Sequence, residues 1–120
     1  MIRISKNIWK NYLCHTNEWH WGKTVDIIHK KGIGIICVKL EDDYPVTAYI
    51  CDLSVFVLNR RQGIGTELIK NALAVARKYG KVFAELNVDK NKDWLVAWYS
   101  SFGFQITYIG KDEYTMTKTL

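Results

Sequence analysis

The strongest constraint on the fold is a change of hydrophobic period in the middle of the chain. Residues 46–57 form a β-branched and aromatic run that predicts a long strand. After a glycine-containing turn, apolar residues recur at helical spacing, and Gly80 then provides a typical helix end. Residues 82–88 return to the strand pattern. A strand, a helix and a strand in this order predict a parallel strand pair with a right-handed crossover.

The segments on both sides of this unit predict antiparallel pairs. Residues 25–28 and 33–40 flank a short polar turn, and residues 105–109 and 114–119 flank another. Between them, a second helix is predicted from apolar residues at helical spacing before Gly103, namely Leu95, Trp98, Tyr99 and Phe102. The fold class is therefore α/β (α+β): a mixed, mainly antiparallel twisted sheet with one parallel strand pair and flanking helices.

The N-terminal segment gives a weaker pattern. Residues 1–4 predict a short strand, and residues 6–15 predict a helix with Ile8, Trp9, Tyr12 and Leu13 on one face. At 120 residues, the chain has room for one domain, which we expect to span residues 1–120. No apolar run approaches the roughly 20 residues that a membrane span requires, so no membrane partner is expected.

The cysteines indicate a reducing compartment. Their number is odd, and Cys37 and Cys51 lie in strand-like runs, whereas Cys14 lies near the N-terminus. We therefore expect free thiols and a cytoplasmic location. No cysteine or histidine pair has the sequence spacing of metal ligands, so the spacing predicts no metal site.

The positive charge is concentrated in one segment. Residues 60–81 contain six basic residues and one acid, and this excess of five equals the formal net charge of the whole chain, +5. Arg77, Lys78 and Lys81 suit the C-terminal end of a helix, where the helix dipole favours cations. Arg60 and Arg61 precede the helix, so they predict a site for an anionic ligand.

The turn before this helix has the chemistry of a pyrophosphate site. The first backbone N–H groups of a helix lack intrahelical acceptors, and glycines at positions 63 and 65 permit close approach to them. A P-loop would need Gly-Lys followed by Ser or Thr, but Thr66 follows Gly65 directly. A dinucleotide fingerprint would need a third glycine where Leu68 stands.

Residues 53–69 resemble the acetyl-CoA-binding motif of the GNAT family of N-acetyltransferases. The family pattern is Arg or Gln, two residues, Gly, one residue, then Gly or Ala, which Arg60, Gly63 and Gly65 match, with the expected valine at Val55. The frequent Pro and Gly of the family are replaced by Val57 and Arg61. Residues 99–104 match a second family pattern, Tyr, three residues, Gly, Phe.

The resemblance implies that acetyl-CoA is the cosubstrate. The main chain of the strand end would bind the pantetheine arm, and the N–H groups of the turn would bind the pyrophosphate. The cofactor-binding residues implied in this way are Val55, Phe56, Val57, Arg60, Arg61, Gln62, Gly63, Ile64, Gly65 and Thr66. Asn91 is added because the family often has an asparagine before the second helix; here Lys92 holds that position, and Asn91 could equally be an N-cap.

The resemblance also implies that Tyr99 is the catalytic residue that protonates the departing thiolate, although its spacing alone also fits core packing. A general base is not evident. Regular alternation places Tyr49, Cys51, Leu53 and Val55 on one strand face and Asp52 on the other, so Tyr49, Asp52, Glu85 and a water chain all stay open.

These features predict an N-acetyltransferase that transfers acetyl to a primary amine of a small molecule, peptide or protein by direct attack in a ternary complex. The alternative is a GNAT-fold binding module that acts through CoA or protein contacts. A nucleic-acid binder ranks last because the charge is confined to one turn and helix. The sequence leaves open whether the chain is a homodimer. The short N-terminal region predicts either an open acceptor cleft or a gap that Trp19 and Trp21 fill.

Overall fold

The computed structural model describes residues 10–56, 60 and 62–120. These residues form seven strands and two helices in one chain order. The elements are β1 (Tyr12–Trp19), β2 (Gly22–His29), β3 (Gly34–Glu41), β4 (Thr47–Val55), α1 (Ile64–Lys78), β5 (Phe83–Asp89), α2 (Asp93–Ser100), β6 (Gln105–Ile109) and β7 (Glu113–Thr119).

All seven strands form one sheet with the order β1-β2-β3-β4-β5-β7-β6. The β4–β5 pair is parallel, and the other pairs are antiparallel. Because α1 connects the two parallel strands, it is the crossover helix that the change of period predicts. The predicted fold class is confirmed, and the predicted hairpins and both predicted helices are present.

The hydrophobic core lies between α1 and one face of the sheet. On this face β3 contributes Ile36 and Val38, and β4 contributes Ile50; all three are at most 3% exposed. The apolar stripe of α1 packs onto them through Leu68, Ile69, Ala72, Leu73 and Ala76. Each fully buried aliphatic side chain of this kind contributes roughly 1.5–3 kcal/mol. This packing fixes where α1 begins, and therefore fixes the turn before it.

The helix predicted over residues 6–15 is wrong for its described part. Tyr12 begins β1 and pairs with His29 of β2, and the antiparallel register continues to Trp19 and Gly22. The Tyr12 hydroxyl also donates to Glu67 Oε1 of α1 at 3.2 Å. Strand pairing and this contact are non-local, so helical spacing within the segment cannot reveal them. The strand predicted over residues 1–4 and the first part of the helix lie outside the described residues.

Trp19 and Trp21 lie at the β1–β2 turn. Their rings stack with centroids 6.2 Å apart, and Lys39 Nζ lies 5.3 Å from the Trp21 ring centroid. Trp19 remains 52% exposed. The expectation that these residues fill an interior gap is therefore wrong, because they form a partly exposed stack at the edge of the sheet. Neither helix in the described part of the chain has the length and apolarity that crossing a bilayer demands.

Candidate functional site

A cleft opens where the two parallel strands diverge. The parallel ladder of β4 and β5 covers only three residue pairs and ends at Tyr49 and Glu85. Beyond this point β4 is paired with β3, and β5 is paired with β7. The cleft has a volume of about 710 Å³ and is lined by Leu53, Ser54, Val55, Arg60, Gly63, Gly65, Thr66, Lys92, Trp94, Leu95, Trp98 and Tyr99. It joins the end of β4, the start of α1 and one side of α2.

A β-bulge in β4 turns two apolar side chains towards this cleft. Cys51 pairs with Cys37 and Ser54 pairs with Ile35, so β4 has one more residue than β3 between these pairs. Asp52 adopts the left-handed conformation, with φ 58°. Val55 consequently pairs with Gly34, whose missing side chain would contact Ile64 and Leu68 of α1.

The regular alternation predicted for β4 is therefore wrong. Tyr49 and Cys51 lie on the face opposite α1, whereas Leu53 and Val55 lie on the α1 face, because the extra residue reverses the order of sides. The sequence offers no signal for this reversal, since Asp52 is neither a glycine nor flanked by one. Leu53 was thus missed as a residue that lines the cleft.

The main chain of Val55 faces the cleft. The N–H of Phe56 donates to the carbonyl oxygen of Ile33 at 2.7 Å, so Phe56 directs its polar backbone groups towards β3. Adjacent residues of a strand direct these groups to opposite sides, so Val55 directs its N–H and C=O into the cleft. This orientation agrees with the prediction for Val55. Phe56 is 60% exposed and lies outside the cleft lining, and Val57 lies outside the described residues.

The first turn of α1 offers backbone N–H groups to the cleft. Gly63 is the N-cap with φ 79°, and no side chain caps the helix. The N–H of Glu67 donates to the Gly63 carbonyl at 3.0 Å, so the N–H groups of the preceding three helical residues have no intrahelical acceptor. Unpaired N–H groups and the positive end of the helix dipole together form an anion-binding site.

The two glycines of the turn have different roles. A Cβ at Gly63 would meet nothing within 4 Å, so this glycine is required by its positive φ and borders open space. A Cβ at Gly65 would lie 3.5 Å from the Trp98 ring, so this glycine lets α2 approach the start of α1. Ile64 between them is buried in the core, and Gln62 is exposed. Arg61 lies outside the described residues.

The charged side chains that line the cleft are positive. Arg60 is exposed and its Nε donates to the Val55 carbonyl oxygen at 3.4 Å, while Lys92 lines the opposite side, at the N-cap of α2. Within the described part of the chain, no carboxylate belongs to the lining. The electrostatics therefore favour an anionic ligand, as the charge distribution of the sequence predicts.

Tyr99 lies at the inner end of the cleft and is only 7% exposed. Its ring contacts Trp98 and Phe104, with centroids 5.0 and 5.9 Å away. Burial raises the pKa of Tyr99 to about 12, because the apolar surroundings disfavour the phenolate. The hydroxyl is therefore protonated at neutral pH and is available as a proton donor.

Asn91 lies outside the cleft lining, and Lys92 takes the place expected for it. The N-cap of α2 is Lys92, so the alternative prediction of Asn91 as the N-cap is wrong. Instead, the Asn91 N–H donates to Asp89 Oδ1 at 2.8 Å in the turn after β5. This Asx-type turn moves the start of the helix one residue further along the chain.

The candidate bases lie on the sheet face opposite α1. Tyr49 faces Glu85 in the last pair of the parallel ladder, at the point where the strands diverge. The Tyr49 hydroxyl accepts a hydrogen bond from Asn87 Nδ2 at 2.8 Å, and burial raises the pKa of Tyr49. Asp52 is exposed at the bulge. The structure thus brings Tyr49 and Glu85 together beside the divergence, and places Asp52 further along β4.

The fold and the cleft define a domain that holds an elongated anionic ligand between two diverging parallel strands. The model of the acetyltransferase (GNAT) family matches residues 6–104. The chain therefore belongs to the GNAT acetyltransferase family. No curated protein sequence gives a significant match.

Solved structures show the same fold. The chain is similar to a GNAT family acetyltransferase from Elizabethkingia anophelis with acetyl-CoA bound, at 16% identity and TM-score 0.73, over 92% of this chain and 99% of that one. It is similar to the PaiA N-acetyltransferase from Thermoplasma acidophilum in complex with coenzyme A, at 19% identity and TM-score 0.69, over 81% and 60%. It is also similar to Arabidopsis thaliana Naa50 in complex with the bisubstrate analogue CoA-Ac-MVNAL, at 26% identity and TM-score 0.65, over 81% and 72%.

Proposed function

We propose that the protein is an N-acetyltransferase that transfers the acetyl group of acetyl-CoA to a primary amine of a small molecule, peptide or protein. The observation that carries the proposal is a single cleft that joins the uncapped start of α1 to the buried hydroxyl-bearing residue Tyr99. The first feature suits a pyrophosphate, and the second suits a leaving group that needs a proton. Both are required for acyl transfer from a CoA thioester.

The binding roles follow from the orientation of the backbone. The N–H groups at the start of α1 would hold the pyrophosphate, with Arg60 adding a full positive charge. The N–H and C=O groups of Val55 would pair with the amide groups of the pantetheine arm, as an additional strand would. An arm bound there runs along β4 from the phosphate turn towards Tyr99.

The chemical step needs an amine without its proton and a thiolate that gains one. Direct attack of the amine on the thioester carbonyl forms the new C–N bond, and the C–S bond then breaks. Tyr99 would donate its hydroxyl proton to the departing sulfur, since its raised pKa keeps it protonated. The amine would enter from the opposite sheet face, where Glu85 and Tyr49 border the divergence, and would release its proton through water beside Glu85.

The test measures release of CoA thiol from acetyl-CoA with a panel of amines. The panel includes polyamines, amino-acid amides, peptides with free N-termini and peptides with an internal lysine. Mass spectrometry of each product must show one added acetyl group on nitrogen. Tight binding of acetyl-CoA with no turnover on any amine would overturn the catalytic proposal.

The second candidate function is a binding module that holds CoA and acts through protein contacts. It is favoured by one observation: in the described part of the chain, the cleft lining contains no carboxylate or histidine that could serve as a base. The same assay distinguishes the two, because a module would bind acetyl-CoA and desulfo-CoA alike without releasing thiol. The free thiols of the chain suit a reducing compartment, so we place either function in the cytoplasm.

A further inference from the structure

Two cysteines and an aspartate meet on the sheet face opposite α1. Cys37 of β3 and Cys51 of β4 are direct partners in the antiparallel register, and their thiols are within hydrogen-bonding reach of each other. The Asp52 carboxylate follows from the bulge, and the three ligand atoms lie within 4.8 Å of one another. Cys37 is buried, Cys51 is half-buried and Asp52 is exposed, so the group is open to solvent on one side.

The backbone of Asp52 brings its carboxylate into this group. Asp52 is the one non-glycine residue of the described chain with positive φ, at 58°. In a regular strand, the residue after Cys51 would point to the other face of the sheet, away from both sulfurs. The left-handed conformation costs roughly 1–2 kcal/mol for an ordinary residue, and such strain tends to be kept where a site uses it.

We propose that Cys37, Cys51 and Asp52 form a binding site for Zn²⁺. Two thiolates select a borderline-soft divalent ion over Mg²⁺ or Ca²⁺, and a carboxylate is an accepted third ligand of zinc. The ligand atoms of a tetrahedral zinc ion, bound at about 2.0–2.3 Å, lie about 3.3–3.8 Å apart. The observed group therefore needs only side-chain rotations to close on the ion, and its open side leaves room for a water ligand.

Asp26 completes the surroundings of the site. It lies directly opposite Cys37 in β2, on the same sheet face, and its carboxylate accepts a hydrogen bond from the Cys37 thiol. A carboxylate in this place orients a metal ligand from outside the coordination sphere. The four residues come from three neighbouring strands, so no short sequence motif announces them. The proposal is independent of the acetyltransferase proposal, because it concerns a different face of the sheet.

A bound ion would have a structural consequence for the cleft. Asp52 is the residue that reverses the sides of β4, and Leu53 and Val55 of the cleft follow directly after it. Metal binding at Asp52 would hold the bulge in its observed conformation. We therefore expect zinc to stabilise the strand segment that lines the cleft.

The test is a titration of the reduced, metal-free protein with Co²⁺, a spectroscopic substitute for Zn²⁺. We expect a thiolate-to-cobalt charge-transfer band that saturates at one ion per chain and disappears when Zn²⁺ is added. The band should be lost in Cys51→Ser and unchanged in Cys14→Ser, since Cys14 lies on β1 and is exposed. Absence of the band from the wild type, or its persistence in Cys51→Ser, would overturn the proposal.

A second variant keeps the test valid if Cys51→Ser fails to fold. Asp52→Asn changes an exposed side chain and keeps a residue type that tolerates positive φ. Loss of an outer-sphere partner alone typically costs 10–100-fold in metal affinity, so loss of this direct ligand should weaken Zn²⁺ binding at least about tenfold. Zinc should also raise the Tm of the wild type more than that of Asp52→Asn. Equal affinities would exclude Asp52 as a ligand.

Discussion

Arg60 reaches back along the chain to Val55, and its Nε donates to the Val55 carbonyl oxygen at 3.4 Å. This carbonyl faces the cleft, so the contact holds the guanidinium group at the cleft rather than in bulk solvent. The residues between them form the connection from β4 towards α1. The contact therefore places a positive charge between the segment proposed for the pantetheine arm and the helix start proposed for the pyrophosphate.

The first prediction concerns this charge. Arg60→Ala should weaken acetyl-CoA binding by about tenfold, because a charge-assisted hydrogen bond to phosphate is worth roughly 1.5–3 kcal/mol and this one is exposed. Binding should also become less sensitive to salt. Calorimetry at low and high ionic strength measures both effects.

Arg77→Ala is the matched control for Arg60→Ala. It removes the same charge from the last turn of α1, roughly 20 Å from the helix start. We expect its affinity for acetyl-CoA to match that of the wild type. Equal weakening by both substitutions would mean that Arg60 acts only through net charge and not at the site.

The second prediction separates the binding role of Gly63 from its conformational role. Gly63 precedes α1 with φ 79°, and Gly80 follows the same helix with φ 75°; an added Cβ would meet nothing within 4 Å at either position. Substitution by glutamate should therefore lower the free energy of unfolding similarly at both, by roughly 1–2 kcal/mol. Only Gly63→Glu should abolish binding, weakening it at least about 100-fold, because its carboxylate opposes the pyrophosphate.

Urea unfolding and calorimetry on both glycine variants check this prediction. A Gly80→Glu variant with normal affinity and reduced stability would show that the strained backbone alone does not abolish binding. If Gly63→Glu binds acetyl-CoA normally, the pyrophosphate site lies elsewhere.

The parts of this site that the sequence predicts correctly are local ones. The turn before α1 is recognisable because the helix start, the glycines and Arg60 all lie within a few residues. The strand, helix and strand around it are predicted from the change of period alone. Tyr99 is placed on the correct helix for the same reason.

The parts that could not be predicted depend on pairing between distant segments. The Asp52 bulge becomes visible only when the register of β4 is compared with that of β3, and it changes which residues line the cleft. Tyr12 belongs to a strand because β2 is available to pair with it. The contact between Cys37 and Cys51 likewise results from register, which explains why sequence spacing predicts no metal site there.

The third prediction concerns the chemical step. Tyr99→Phe removes the hydroxyl and keeps the ring that packs on Trp98 and Phe104. If Tyr99 protonates the thiolate, kcat should fall by roughly 10²–10⁴-fold, whereas the Kd for acetyl-CoA should change little. Tyr44→Phe, which changes a tyrosine that is 61% exposed in the β3–β4 loop, should retain wild-type kcat. Unchanged kcat in Tyr99→Phe would remove this residue from the mechanism.

The fourth prediction follows from the raised pKa of Tyr99 and concerns stability at alkaline pH. The phenol titrates near 10 when exposed and near 12 in the folded protein. Below pH 10 both states hold the proton, and the contribution to stability is complete. Between these values the unfolded state loses its proton while the folded state keeps it, so the free energy of unfolding falls as the pH rises. For a shift of this size the loss is on the order of 2 kcal/mol.

Comparison with Tyr99→Phe isolates this effect from other titrating groups. Tyr12 also has a raised pKa, because of its burial and of Glu67, but it is present in both proteins and cancels in their difference. Urea unfolding in the presence of a reductant, at several values between about pH 9 and about pH 11, gives the two free energies. The stability advantage of the wild type over Tyr99→Phe should shrink across this range. A constant difference would show that Tyr99 has the same pKa folded and unfolded, and that its hydroxyl is not in the apolar site described for it.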